Sequence, residues 1–279
     1  MTSEPPAPHD PGTITSTKNP RVKAAIALRD RRTRDETGLT LVDGVRELAR
    51  ALAGGARAVE VFVVEHALDG AGADAVDLAR SGGAVIVPVT GGVLDRLGYG
   101  ERSEGIVATV RIPDVSLDRL AGVLPPDPLV VVLEGLEKPG NLGAVLRSAD
   151  AAGADAVVVA DPRTDLFNPN AIRASLGTVF AVPVAAGSSE AVRAWLESAG
   201  IPMFAARVGA AIAYTEADLR GPAALVLGSE ADGLTDAWAG PGVTDVSLPM
   251  LGVADSLNVS VTAAVLLYEA RRQRGSAPD

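Results

Sequence analysis

The chain has no cysteine. That excludes disulfides, thiolate-ligated zinc and any reaction that needs a thiolate nucleophile. It also fits a reducing, cytoplasmic setting. Histidine is nearly absent, with only His9 and His66 among 279 residues. A Ser-His-Asp triad is therefore not expected, and no metal site is expected because histidine ligands are too few. His66 reads as a surface residue. No apolar run reaches about 18 residues, so no membrane span is expected. The first residues are polar and Pro-rich, without the basic start or apolar core of a signal peptide. Residues 1–14 read as a disordered tail.

Basic charge is also scarce. The chain has 25 Lys and Arg against 35 Asp and Glu, a formal net charge of −10. Such an excess of acid argues against a broad electrostatic grip on nucleic acid. The distribution is uneven, however. Lys18, Arg21, Lys23, Arg29, Arg31, Arg32 and Arg34 crowd one short stretch against only Asp30. Such a run fits a solvated helix face and an RNA-contacting patch equally well, and both readings stay open.

What is present is a 47% apolar composition with 3% aromatics, the mark of an Ala/Val/Leu/Gly-rich α/β protein. The length allows one large or two ordinary domains. In residues 15–112 the pattern predicts a helix from Thr15 to Arg34, strands at 39–42, 59–64, 84–89 and 106–110, and helices at 45–52, 73–80 and 93–97. Pro113, Pro125, Pro126 and Pro128 mark 113–128 as a linker. Residues 129–279 form a second domain. Its strands at 129–133, 156–160, 181–184, 203–206, 223–227 and 246–248 alternate with helices. That order predicts a mainly parallel sheet, with ligands beyond the strands' carboxyl ends.

Three glycine-rich strand exits fall there, at 134–143, 228–233 and 249–256. The first carries Asn141, Gly143 and Arg147; the bare Gly143 can admit a ligand beside the guanidinium. The second carries Gly228, Glu230 and Gly233. The third carries Leu248, Met250, Ser256 and Asn258. Backbone groups at these turns can hydrogen-bond an adenine and a ribose, with Leu248, Met250 and Leu257 packing the ring. The last helix starts at an expected N-cap, Ser256, and the spacing of Leu257, Val261, Ala264, Val265 and Tyr268 predicts its buried face.

Asn141-Leu-Gly143-Ala-Val-Leu-Arg147, Leu227-Gly228-Ser-Glu230-Ala-Asp-Gly233, and Leu248-Pro-Met250 with Ser256-Leu-Asn258-Val-Ser resemble three motifs of one family. It is the SpoU family, also called TrmH, of RNA ribose 2′-O-methyltransferases. Order and spacing match over roughly residues 129 to 272. Residues 15–112, opening Thr17-Lys18-Asn19-Pro20-Arg21-Val22-Lys23, look like the ribosomal-protein-L30e-like substrate-binding domain common in that family.

The resemblance implies an α/β SPOUT domain, knotted as a deep trefoil around a mainly parallel sheet, plus a smaller L30e-like domain. It implies S-adenosylmethionine in the knot, held near Leu227, Gly228, Gly233, Leu248, Met250 and Leu257. Arg147 would act at the target 2′-hydroxyl, with Asn141, Glu230, Ser256 and Asn258 orienting the reacting groups. The implied assembly is a homodimer through the knotted domain, without membrane or metal. The implied substrate is 23S ribosomal RNA, with a tRNA substrate or a non-catalytic rRNA-binding role as alternatives. A guanidinium with a pKa above about 12 rarely deprotonates. Arg147 is thus better suited to binding the adjacent phosphate, or steadying a forming alkoxide, than to accepting a proton.

The chain departs from the family pattern in small ways. Glu137-Lys138-Pro139-Gly140-Asn141-Leu142-Gly143 stands where Asp-x-Pro-x-Asn-x-Gly is frequent, Leu-Gly-Ser-Glu where Phe-Gly-x-Glu is frequent, and Asp43-Gly44 where Glu-Gly is common. A dinucleotide-binding enzyme is the rival reading. Gly135, Gly140 and Gly143 do follow a strand, but their spacing is not Gly-x-Gly-x-x-Gly, and no Gly-Lys-Ser/Thr is present.

Overall fold

The computed structural model describes residues 12–98, 104–229 and 232–275. The chain divides into two units, Met1–Ile112 and Pro113–Asp279.

In the first unit, helix α1 (Pro20–Ala27) begins where Asn19 Oδ1 accepts from the Arg21 N–H at 2.9 Å, with Pro20 presetting the first turn. The single helix expected up to Arg34 is instead two. Asp30 accepts from the Thr33 N–H at 3.3 Å and caps α2 (Arg31–Thr37), which ends on Gly38 at φ +65°. A short acidic side chain that can bind its own downstream N–H favours a new cap over a continued helix. Then follow β1 (Leu39–Asp43), α3 (Val45–Ala53), β2 (Ala58–Val63), α4 (Gly70–Ser81), β3 (Val85–Pro88), α5 (Gly91–Leu97) and β4 (Ile106–Arg111).

The four strands lie in the order β1-β4-β2-β3. β4 runs antiparallel to β1 and β2, and β3 runs parallel to β2. Val22, Leu28, Leu41, Phe62, Leu94 and Val107 share its core. The tail ends earlier than residue 14: the Ile14 N–H donates to the Pro88 carbonyl at 2.9 Å and its carbonyl accepts from Thr90 at 3.1 Å, tying it to the sheet edge. Residues 1–11, His9 included, lie outside the described residues. His66 is exposed.

The second unit contains α6 (Leu117–Ala121), β5 (Leu129–Glu134), α7 (Pro139–Ala152), β6 (Ala156–Ala160), α8 (Pro169–Ala174) and β7 (Val184–Gly187). It continues with α9 (Ser189–Ser198), β8 (Met203–Ala206), β9 (Ile212–Ala213), β10 (Ala223–Leu227), β11 (Val243–Ser247) and α10 (Val259–Gln273). The expected linker is part of this unit, because α6 buries Leu120 in its core. Prolines there shape a short packed segment and not a free connector.

The sheet has seven strands in the order β7-β6-β5-β10-β8-β11-β9, and its neighbours pair in parallel. Central β5 and β10 are buried along their whole length. That is why they read as unbroken apolar runs with no period-2 alternation. Val130, Val132, Ala224 and Val226 pack with Leu120, Val192, Leu196 and Trp238 on one face. Their alternates face the other way, where α10 packs on β10 and α7.

The last helix differs from expectation in two respects. Its N-cap is Asn258, whose Oδ1 accepts from the Ser260 N–H at 2.9 Å, and not Ser256. Its buried face is Val259, Ala263, Leu266, Leu267 and Ala270, whereas Leu257, Val261 and Tyr268 are 41%, 47% and 54% exposed. Both faces are apolar, so periodicity alone could not choose between them.

Candidate active site

The chain leaves β8, β10 and β11 at one end of the sheet, where it lines a cleft of about 580 Å³. That volume lies within the range of roughly 300–1,000 Å³ usual for small-molecule sites. Ala206, Arg207 and Val208 come from the β8 exit. Leu227, Gly228, Ser229, Asp232, Gly233 and Leu234 come from the β10 exit. Val246, Leu248 and Met250 come from β11 and its exit, and Asp255, Ser256, Leu257, Val259 and Thr262 from the entry to α10.

All six positions expected at a cofactor, Leu227, Gly228, Gly233, Leu248, Met250 and Leu257, therefore line a single cleft, and Ser256 joins them. Asn141, Arg147 and Asn258 are not part of its lining. Asn258 sits between two lining residues, and its Nδ2 donates to Asn141 Oδ1 at 3.3 Å. That bond brings the first and third segments together. Arg147 is exposed on α7 and has no hydrogen bond or ion pair among the described residues. Glu230 lies outside the described residues.

Two glycines are required by packing. A Cβ on Gly143 would sit 2.5 Å from Ala174 Cβ and 2.6 Å from Ser175 N. The end of α8 thus fills the space that a ligand was expected to use. A Cβ on Gly228 would lie 2.1 Å from the Gly233 carbonyl carbon. The loop folds back on itself there, with the Gly233 N–H donating to the Ser229 carbonyl at 3.0 Å and the Asp232 N–H to Ser229 Oγ at 3.0 Å.

Two charged residues that hold this wall were not anticipated. Glu134, 3% exposed at the end of β5, accepts from the Thr235 N–H at 2.8 Å and the Thr235 hydroxyl at 2.6 Å. The Ser189 hydroxyl lies 2.9 Å from the same carboxylate. From the opposite side Arg207 donates to the carbonyls of Leu234, Thr235 and Trp238, each at 3.1 Å, and to Asp245 at 3.1 Å. Residues 234–238 are thereby clamped behind the cleft. The available signal was a charge closing each of two apolar strands, since buried charge persists only when paired. A third arginine, Arg163, pairs with Glu137 and lies 3.5 Å from Asp232, so it joins the first and second segments at the rim. The Glu137 hydrogen bond raises its pKa above the usual arginine value.

The basic run of the first unit is only partly available. Arg34 is 2% exposed and donates to the Leu28 and Arg29 carbonyls at 2.8 and 2.9 Å. It cannot reach RNA in this fold. Arg29 donates to the carbonyls of Arg96, Leu97 and Gly98 at 2.9, 3.2 and 2.7 Å, closing the end of α5. Arg21, Arg31 and Arg32 are exposed and pair with Glu60, Asp35 and Glu36 at 3.4, 3.7 and 2.7 Å. Lys18 and Lys23 are exposed and their ammonium groups have no ion pair among the described residues. Among the described residues no group of three or more His, Asp or Glu could hold a metal, and no helix is long and apolar enough to cross a membrane.

A doubly wound parallel sheet with one ligand cleft past its carboxyl ends defines an α/β cofactor-binding protein. Residues 128–268 match the SpoU rRNA Methylase family, and residues 19–108 match the MRM3-like substrate binding domain. The chain belongs to the SpoU rRNA methylase family.

It is 32% identical to the 23S rRNA (guanosine-2′-O-)-methyltransferase RlmB of Ralstonia nicotianae, over 85% of this chain and 97% of that one. It matches 63% of the length of the 23S rRNA (uridine(2479)-2′-O)-methyltransferase of Streptomyces viridochromogenes at 37% identity, over 63% of this chain. Among solved structures, an RNA 2′-O ribose methyltransferase superposes with a TM-score of 0.81 at 42% identity, covering 94% of this chain and 99% of that one. The SpoU methyltransferase AviRb of Streptomyces viridochromogenes, in complex with the cofactor AdoMet, superposes with a TM-score of 0.84 at 31% identity, covering 94% and 100%.

Proposed function

We propose that the protein transfers a methyl group from S-adenosylmethionine to the 2′-hydroxyl of a ribose in 23S ribosomal RNA. The observation that carries this reading is the Asn141–Asn258 bond beside the cleft, with Arg147, which has no partner among the described residues, on the same helix as Asn141. The cleft fits the cofactor chemically. Leu227, Leu248, Met250 and Leu257 offer apolar surface to a flat base, and Gly228, Ser229, Asp232 and Gly233 offer backbone groups to polar edges.

When bound, S-adenosylmethionine supplies a methyl group on a positively charged sulfur. The protein's task is to place the ribose oxygen in line, at roughly 3 Å, and to exclude water. Arg147 offers a planar guanidinium suited to phosphate oxygens. It binds the phosphate next to the target ribose and steadies negative charge on the 2′-oxygen as its proton leaves. Asn141 and Asn258 fix the entry to α10, and with it Ser256 at the cleft. Glu230 belongs to the same group by its place in the second motif.

Two further features belong to this reading. The first is a homodimer through the second unit, with each site completed by the partner. Leu251 and Val253 are 96% and 104% exposed, and α10 presents Leu257, Val261 and Tyr268 on its outer face. A helix with apolar residues on its outer face as well as its buried one fits burial on both sides. The second is a trefoil knot. Residues 248–258 run beside the β8 and β10 exits before α10 packs on α7 and β10, as a threaded tail would. The first unit, an L30e-like arm, holds the RNA through Lys18, Arg21, Lys23, Arg31 and Arg32, and the work is done in the cytoplasm.

The test uses purified protein, tritiated S-adenosylmethionine, and unmodified 23S rRNA and tRNA transcripts. Label should enter the rRNA at one nucleotide and block alkaline cleavage on its 3′ side. Label in tRNA alone would replace the substrate, and label in neither would remove the reading.

A further inference from the structure

Three charged side chains are among the described residues lining the cleft: Arg207, Asp232 and Asp255. Two are committed elsewhere. Arg207 is spread over three carbonyls and Asp245, and Asp232 faces Arg163. Asp255 has no hydrogen bond or ion pair among the described residues, and it is exposed, so it does no structural work there. Among the described residues the lining therefore carries one unbalanced negative charge, next to Ser256 and Leu257. A carboxylate that the fold does not use favours a cationic ligand.

We propose that Asp255 is the residue by which the cleft separates the methyl donor from its spent product. This rests on the cofactor reading given above. S-adenosylmethionine carries a sulfonium and an ammonium against one carboxylate, a net charge of +1. S-adenosylhomocysteine has a neutral thioether and no net charge. The two differ by one methyl group and that charge, and shape alone discriminates a methyl weakly. Asp255 attracts the sulfonium, which only the donor has, and so favours the charged form while letting the product go. A unit charge pair about 4 Å apart in water-like surroundings is worth roughly fivefold in an equilibrium constant.

The test is calorimetric binding of both ligands to the full chain and to Asp255→Asn. The variant is isosteric at an exposed position, so its melting temperature should match the wild type. S-adenosylmethionine should bind the variant about fivefold more weakly, with S-adenosylhomocysteine unchanged. The wild-type preference for the donor should also shrink as salt rises, and the variant's should not. Equal losses for both ligands would mean that Asp255 reads their shared ammonium, and would overturn the proposal. So would no change for either. Wild-type protein that binds neither ligand would instead remove the cofactor assignment, and this proposal with it.

Discussion

The two units use their positive charges differently. Residues 1–112 hold 14 Lys and Arg against 15 Asp and Glu, a net charge of −1. Residues 113–279 hold 11 against 20, a net charge of −9. In the acidic unit, Arg193, Arg207, Arg271 and Arg274 grip backbone carbonyls. Arg163, Arg220 and Arg272 sit on carboxylates. These seven cations are engaged within the fold. Arg147 has no such employment among the described residues. In the near-neutral unit two arginines are also internal, but Lys18 and Lys23 stay exposed together. On the proposed reading, the difference separates a region that would grip RNA by several weak contacts from one that would act on it through a single strong one.

The sharpest way to break that contrast is Arg147→Ala. Removing a charge that is stronger in the transition state than before it costs about 10²–10³-fold in turnover. The melting temperature and S-adenosylmethionine affinity should stay at the wild-type level, because Arg147 supports neither the fold nor the cleft lining. Tritium transfer to 23S rRNA measures the first, and calorimetry the others. A loss below tenfold would place the decisive cation elsewhere.

Glu134→Ala should have the next largest effect, and on different quantities. It leaves the Thr235 N–H and hydroxyl without their buried acceptor. An unsatisfied buried group costs about 1–3 kcal/mol. The loop that it backs forms one wall of the cleft, so S-adenosylmethionine should also bind about tenfold more weakly, an effect on the order of 1.4 kcal/mol. Denaturant titration and calorimetry check the two parts. A stability loss with unchanged cofactor affinity would make Glu134 a fold residue only.

Glu134 also marks what the sequence could and could not convey. The parallel sheet was legible because β5, β6 and β10 are continuous apolar runs, a pattern made only by strands covered on both faces. The three motif segments were legible because their Gly, Asn and Ser residues break that pattern at strand exits. The contribution of β8 was not, since the charge of Arg207 at its end signals a pairing but not a place, and its part in the cleft follows from strand order alone. The orientation of α10 was hidden for a related reason: an apolar helix with two candidate faces gives no phase. Gly143 misled because a missing side chain looks the same whether a ligand or another helix takes its place. The basic run misled in part because burial of Arg34 needs the turn at Leu28–Asp30, which only the Asp30 cap creates.

A smaller effect tests the first unit. Lys18→Ala with Lys23→Ala should weaken RNA binding several-fold and reduce the salt slope of log K by about 1.5, while turnover at saturating RNA holds. Arg34→Ala, in the same run, should instead lower the melting temperature, since its guanidinium ties Leu28 and Arg29 across the break between α1 and α2. If Arg34→Ala altered the salt slope and the lysine pair did not, the division between gripping and structural cations would be reversed.

The weakest expected effect concerns acid stability of the second unit. Glu269, with its side chain 7% exposed, accepts from Arg272 at 2.7 and 2.8 Å and from Gln273 at 2.8 Å. The hydrogen bonds from Arg272 hold its carboxyl below the ordinary value of 4.5, outweighing burial, which pushes the other way. A depressed folded pKa stabilises the fold above the unfolded value, and that stabilisation is lost as pH falls through the folded one. Between about pH 5 and pH 3 the wild type should thus lose melting temperature faster than Glu269→Gln, by on the order of 2 °C. Above pH 5 the two curves should run parallel. Identical slopes at every pH would show that Arg272 spends its charge on solvent, as exposed pairs commonly do, and that the end of α10 is held by Arg271 and Arg274 alone.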